Sequence, residues 1–256
     1  MIQTRRVRRR DFLAAATAAT GVPWLVPSGV LGAPGRPGAN QRVTTGHIGV
    51  GGMGSASLGH VRTLQSQGKT QVLAVCDVDE GRLQRAVTTC GAGVTPYRDY
   101  RYLLQRKDID AVVISTPDHW HAVQTVHACE SGKHVYVEKP ASCTVREGQA
   151  MVAAARTNRR KVQVGSQARS AEPAWQACTY IRNGMLGTVG KVTTWHTPNP
   201  TGGTGAPAPP PPELDWDLWL GPLRWRPYVP RAYCHGVFRW LMESGGGVIR
   251  VAGPTS

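Results

Sequence analysis

The chain is predicted to be an α/β protein built on a doubly wound parallel sheet. Three observations predict this. Short apolar runs alternate with helical stretches from Val43 onward, as a parallel sheet with crossover helices requires. The first run ends in a glycine-rich turn, Gly49-Val50-Gly51-Gly52-Met53-Gly54. The second run ends on an acid, Asp77, placed 23 residues after Gly54.

The apolar runs predict strands over residues 46–50, 71–76, 111–115, 134–137 and 161–164. Between them the pattern predicts helices over 54–67, 80–90, 100–105, 122–131 and 144–157. The turn at Gly49 fits G-x-G-x-x-G where a strand passes into a helix. The first glycine, Gly49, permits the tight turn. The second, Gly51, lets the backbone approach a pyrophosphate, and the third, Gly54, lets helix and strand pack closely. With Gly52 and Met53 between them, these residues place phosphates on the free N–H groups of a helix N-terminus. Strand, glycine turn, helix, second strand and acid in that order are the fingerprint of a Rossmann dinucleotide site. Asp77 there accepts hydrogen bonds from ribose hydroxyls and repels a 2′-phosphate, which favours NAD over NADP. Asp79 reads as the cap of the helix that follows.

The strand ending at Ser115 leads into Thr116-Pro117-Asp118-His119-Trp120-His121. A loop at the carboxyl end of a central strand is where open α/β sheets bind ligands, so Thr116, Pro117 and His121 are expected to face the cofactor, with Asp118 capping the next helix. Further on, Glu138-Lys139-Pro140 puts an ionisable pair at the end of an apolar strand, a costly place for charge unless it is paired or used. Lys139 can bind a substrate hydroxyl or carry its proton, and Glu138 can orient the ammonium.

Composition narrows the alternatives. The formal charge is +14, but residues 1–42 hold seven Arg and one Asp, a balance of +6, which leaves +8 for the rest. Beyond Arg224-Trp225-Arg226 no basic run is interleaved with aromatics, so no nucleic-acid partner is expected. The six Cys include no C-x-x-C pair and read as small buried side chains. His119 and His121 lack further ligands at metal-binding spacing, so no metal is expected.

Residues 1–33 carry Arg9-Arg10-Asp11-Phe12-Leu13 ahead of an Ala-rich apolar stretch. This resembles a twin-arginine export signal, which would place the protein in the periplasm or hold it at the membrane by its N-terminus. A basic tail is the other reading. Pro23 and Pro27 interrupt the stretch, so no stable membrane span is expected. Residues 34–42 read as a linker, 43–165 as the nucleotide domain and 166–256 as a second, partial domain.

The glycine turn, the run Ser115 to Ala122, Gly132-Lys133-His134-Val135-Tyr136-Val137-Glu138-Lys139-Pro140, Val164-Gly165-Ser166-Gln167-Ala168-Arg169-Ser170 and Leu214-Asp215-Trp216-Asp217-Leu218-Trp219-Leu220-Gly221-Pro222 together resemble the Gfo/Idh/MocA family of oxidoreductases. The resemblance covers residues 44 to 249. It implies a Rossmann domain followed by an α+β domain with an open antiparallel sheet, incomplete here. It also implies NAD(P)-dependent hydride transfer on a sugar or cyclitol, with Lys139 near the nicotinamide and Arg169 near the substrate, and homo-oligomers among relatives. NAD-dependent glycoside hydrolysis, which some relatives perform, and a non-catalytic dinucleotide-binding module are the alternatives.

In the second domain the pattern predicts a helix over 174–183, a strand over 190–196 and a Pro/Gly-rich loop over 198–212. The aromatics of residues 214–228 read either as stacking surfaces or as wedges between domains. At the C-terminus the family pattern breaks: its Asp and His positions, which complete the catalytic set, fall on Val251 and Thr255. A truncated or frameshifted product is therefore expected.

Overall fold

The computed structural model describes residues 38, 41–195, 198 and 205–247. Six strands, β1 (Val43–Ile48), β2 (Thr70–Cys76), β3 (Thr95–Tyr97), β4 (Ala111–Ile114), β5 (His134–Glu138) and β6 (Val162–Gly165), pair in the order β3-β2-β1-β4-β5-β6. Every pairing is parallel. The order reverses between β1 and β4, and that switch point is where an open α/β sheet leaves a crevice for a ligand.

Helices α1 (Gly52–Ser66), α2 (Glu80–Cys90), α3 (Tyr100–Gln105), α4 (Asp118–Glu130) and α5 (Val145–Thr157) connect the strands. Alternation along a strand sends successive side chains to opposite faces. On β2, Ala74 and Cys76 join a core with Leu103, Val112, Ile114, Ala128 and Val137. Val75 instead joins a second core with Val50, Leu58, Leu83 and Ala86 under α1 and α2. The sheet is thus buried on both faces, and its strands read as near-continuous apolar runs for that reason.

Local signals start the helices. Asp79 accepts the Arg82 N–H at the start of α2, and Asp99 accepts that of Arg101 at the start of α3. Thr144 and Glu147 form a reciprocal capping box on α5, a device worth about 1 kcal/mol. The sheet continues one strand beyond expectation, because Thr95–Tyr97 is only three residues long and too short to show a period. Helix α4 starts a turn earlier than 122, with Pro117 as its N-cap residue. Asp118 is therefore the first helical residue and does not cap, since the rigid φ of Pro117 already sets the entry.

After β6 comes a 3-10 turn (Gln167–Ser170) and then α6 (Glu172–Arg182), near the expected helix. Residues 190–195 are irregular and exposed, correcting the strand expected there: among the described residues no neighbouring strand pairs with their N–H and C=O groups. Position 196 lies outside the described residues. The expected antiparallel sheet is likewise not found among the described residues after Gly165, where the β-structure is one antiparallel bridge, Asp79 to Leu214. Residues 205–247 instead return to the carboxyl end of the parallel sheet and carry α7 (Trp216–Leu220) and a 3-10 turn (Val237–Trp240). A third apolar cluster forms there from Leu214, Trp216, Trp219, Leu220, Cys234 and Phe238.

Candidate dinucleotide cleft

The glycine turn joins β1 to α1 at the switch point. Gly49 has φ +81°, and a Cβ on it would stand 2.7 Å from the Ser115 carbonyl oxygen of β4's exit. Gly54 is buried, and a Cβ there would meet the Gly49 carbonyl oxygen at 2.0 Å. The first glycine is needed for backbone angle and close approach, and the third for helix against turn. Helix α1 has no side-chain N-cap bond, unlike α2, α3 and α5, and no acid in its first turn. Its positive end and first N–H groups therefore face the cleft without a competing anion.

Asp77 ends β2 beside this turn. Its Oδ2 accepts the Val50 N–H at 2.9 Å and its Oδ1 accepts the Asp79 N–H at 3.0 Å. Burial raises the pKa of Asp77, and these two bonds act against that rise. The acid thus holds two turns in place as well as lining the cleft.

On the other side of β1, Thr116 Oγ1 donates to Gln124 Oε1 at 2.7 Å. His121 is buried with Nδ1 at 2.6 Å from the Pro140 carbonyl and Nε2 at 2.9 Å from that of Thr116. Its ring thereby ties the loop after β4 to the turn after β5. Burial lowers the pKa of His121, and the two carbonyls oppose the shift. His119 is lowered to about 4, mainly by burial. Both histidines are used within the fold. No group of three or more metal-ligating side chains occurs among the described residues.

Glu138 is 4% exposed. Its Oε2 accepts the Lys139 N–H at 3.3 Å and its Oε1 accepts from Gln167 Nε2. Burial raises its pKa, and the Lys139 N–H, Gln167 and the Lys139 ammonium oppose the rise.

One open cleft gathers Gly49, Gly51, Gly52, Met53, Asp77, Thr116, Pro117, His121, Glu138 and Lys139. Gly54 packs behind it. Arg169 is exposed on its 3-10 turn and does not line the cleft.

Sequence reasoning missed several lining groups. Arg82, in the first turn of α2, lies over Gly51, and a Cβ on that glycine would come 2.1 Å from Arg82 Nη1. A basic residue at a helix start just past the acid was a readable signal. Arg98, Tyr100, His235 and Arg239 also line the cleft, and no local pattern places them there.

Residues 205–247 form the outer wall. The Asp215 N–H donates to the Val78 carbonyl, and the Glu80 N–H to that of Glu213. Trp120 Nε1 donates to the Trp219 carbonyl at 3.1 Å, and His119 Nε2 lies at the same distance from it. Trp216 and Trp219 stack with centroids 5.0 Å apart and are 6% and 4% exposed. They are wedges that seat this segment, so of the two readings left open for the aromatics of residues 214–228 the packing role describes Trp216 and Trp219, while Trp225 is 69% exposed. His235 Nε2 is 3.0 Å from Asp79 Oδ2, and its Nδ1 is 2.8 Å from Cys234 Sγ. The six cysteines are free thiols. Cys234 is pushed up to about 12 by burial.

The turn, acid and crevice define the class: an NAD-binding Rossmann domain. Residues 43–166 match the family described as "Oxidoreductase family, NAD-binding Rossmann fold", Gfo/Idh/MocA. Among similar proteins, a glycosyl hydrolase family 109 protein of Shewanella pealeana is 32% identical over 204 residues, covering 71% of this chain and 44% of that protein. An inositol 2-dehydrogenase of Salmonella paratyphi B is 33% identical over 144 residues, covering 56% and 42%. Among solved structures, an NAD binding oxidoreductase from Klebsiella pneumoniae is similar at 30% identity and TM-score 0.50, covering 57% of this chain and 40% of that one. A myo-inositol 2-dehydrogenase from Lactobacillus plantarum gives 25% and 0.53, covering 58% and 43%. The chain spans less than half the length of the curated relatives it matches.

Residues 1–33, expected to be a twin-arginine signal, and the positions Val251 and Thr255 lie outside the described residues. Among the described residues no helix is long and apolar enough to cross a membrane.

Proposed function

We propose that the protein is an NAD(P)-dependent oxidoreductase that moves a hydride between a sugar or cyclitol hydroxyl and a nicotinamide, with NAD as its cofactor. The observation that carries this is the single cleft in which the glycine turn and Asp77 at one end share a space with Glu138 and Lys139 at the other. The nucleotide fits the residues present: glycines at 49 and 54, where a Cβ would strike the Ser115 and Gly49 carbonyl oxygens, let the turn close tightly beneath the cradle, and the first turn of α1 is left without an acid. NAD supplies the hydride acceptor when bound. Lys139 binds the reacting hydroxyl and exchanges its proton, Glu138 fixes the turn that carries Lys139, and Asp77 reads the ribose. A cyclitol substrate is supported by the likeness to an inositol 2-dehydrogenase.

A second reading is NAD-dependent glycoside hydrolysis, in which transient oxidation of the sugar acidifies a neighbouring C–H and the glycosidic bond leaves by elimination. It is favoured by the likeness to a glycosyl hydrolase family 109 protein over 71% of the chain. Arg9-Arg10-Asp11-Phe12-Leu13 supports export by the twin-arginine route. The deciding experiment titrates the purified protein with NAD, then assays a panel of sugars, cyclitols and aryl glycosides. NADH formation supports the dehydrogenase, and aglycone release without net NADH supports the hydrolase. Binding without turnover leaves a non-catalytic dinucleotide module, and absence of NAD binding defeats all three.

A further inference from the structure

Glu138 closes β5 and pairs in register with Gly165 at the end of β6. A Cβ on Gly165 would stand 2.6 Å from the Tyr136 hydroxyl and 3.1 Å from Glu138 Oε1. The bare glycine thus opens a slot between two side chains on the neighbouring strand. Gln167, two residues further on in the 3-10 turn, reaches into that slot. Its Nε2 donates to Glu138 Oε1 at 2.5 Å and to the Tyr136 hydroxyl at 3.2 Å. Gln167 itself is exposed while Glu138 is buried, so the amide covers the carboxylate from the solvent side. The remaining carboxylate oxygen, Oε2, accepts the Lys139 N–H.

We infer that Gln167 is the positioning residue of the Glu138-Lys139 pair, its amide clamping the Glu138 carboxylate while the opposite oxygen holds the Lys139 backbone. A carboxylate this buried pays for desolvation, and a donated amide N–H favours its ionised form. The amide also fixes which way the carboxyl plane faces, and with it the peptide that carries Lys139. Gln167 belongs to the first element after the sheet, so the segment leading out of the nucleotide domain sets the ionisable pair within it. Gly165 is the companion requirement, since any side chain there would occupy the slot.

The clamp rests on the oxidoreductase reading only for what the pair then serves. Its test is the titration of the Glu138 carboxyl followed by ¹³C NMR in the full chain, with the signal assigned by its loss in Glu138→Gln. In Gln167→Ala the midpoint is expected to move upward by about one pH unit. In Gln167→Glu it is expected to move further, because two carboxyls then share the slot. An unchanged midpoint in both variants, with wild-type circular dichroism, overturns the inference, since a merely structural glutamine would leave that titration where it is. The measurement needs no NAD, so failure of the wild-type chain to bind NAD, which defeats the oxidoreductase reading, is distinguishable from failure of the clamp.

Discussion

Asp77 Oδ2 accepts the Val50 N–H across 2.9 Å, which joins the end of β2 to the middle of the glycine turn. Removing the acid therefore disturbs the turn as well as the ribose contact. Asp77→Ala leaves the N–H groups of Val50 and Asp79 without their acceptor, a loss of about 2 to 3 kcal/mol. Urea unfolding and NAD titration check this: a lower midpoint is expected together with NAD affinity weakened at least about tenfold. A variant as stable as the wild type would show that the carboxylate does not hold the turn.

Two glycines on the same helix have opposite expectations. Gly54→Ala would drive a methyl to 2.0 Å from the Gly49 carbonyl oxygen, so the helix must shift and NAD binding is expected to be lost. Gly59 has nothing within 4 Å of its ideal Cβ and lies inside α1. Gly59→Ala is therefore expected to stabilise the protein by about 0.5 to 1 kcal/mol. Thermal unfolding of the pair decides it, and equal melting temperatures would refute the steric account.

His47 lies one residue before the end of β1, 1% exposed, with neither ring nitrogen hydrogen-bonded among the described residues. Burial lowers it to about 4, and His119 similarly. The unfolded chain then binds more protons than the native one between about pH 4 and the ordinary histidine value near 6.5. Stability from these groups is complete above about 6.5 and lost as pH falls through about 4, on the order of 3 kcal/mol each. Urea midpoints measured from pH 7.5 down to 4 should fall steeply, and His47→Leu should flatten that slope. A wild-type profile already flat over this range would contradict the buried neutral state.

Trp219 seats the outer wall. Its ring stacks on Trp216 and its carbonyl accepts from Trp120. Trp219→Ala is expected to cost about 3 to 5 kcal/mol locally, freeing residues 205–247 while the parallel sheet persists. Hydrogen exchange reads this directly: protection should vanish at the amides of Glu80, Asp215 and Trp219, with β1 and β4 unchanged. Simultaneous loss of protection in those strands would show that the wall and the sheet unfold as one unit.

The sheet was legible because its strands are buried on both faces and read as apolar runs, and because glycines and acids mark their ends. The cap at Asp79 was visible in the same way. Thr95–Tyr97 was hidden by its length, and the span 190–196 looked like a strand because β-branched residues raise the propensity without supplying a partner to pair with. In the cleft, residues on the sheet's own loops could be read, from Gly49 to Lys139. His235 and Arg239 could not, because they arrive through long-range docking that no local spacing encodes, and Arg98 was hidden with the short strand it follows. Arg169, whose motif was plain, is exposed on the 3-10 turn and is not among the residues that line the cleft.

The bridge between Asp79 and Leu214 makes the returning segment a neighbour of whatever occupies the ribose end of the cleft. Two bodies that rest on a common set of groups are not thermodynamically independent. Any factor by which the seated wall tightens a ligand is the factor by which that ligand tightens the wall. The coupling between cofactor affinity and the anchoring of residues 205–247 is then one quantity measured from two sides.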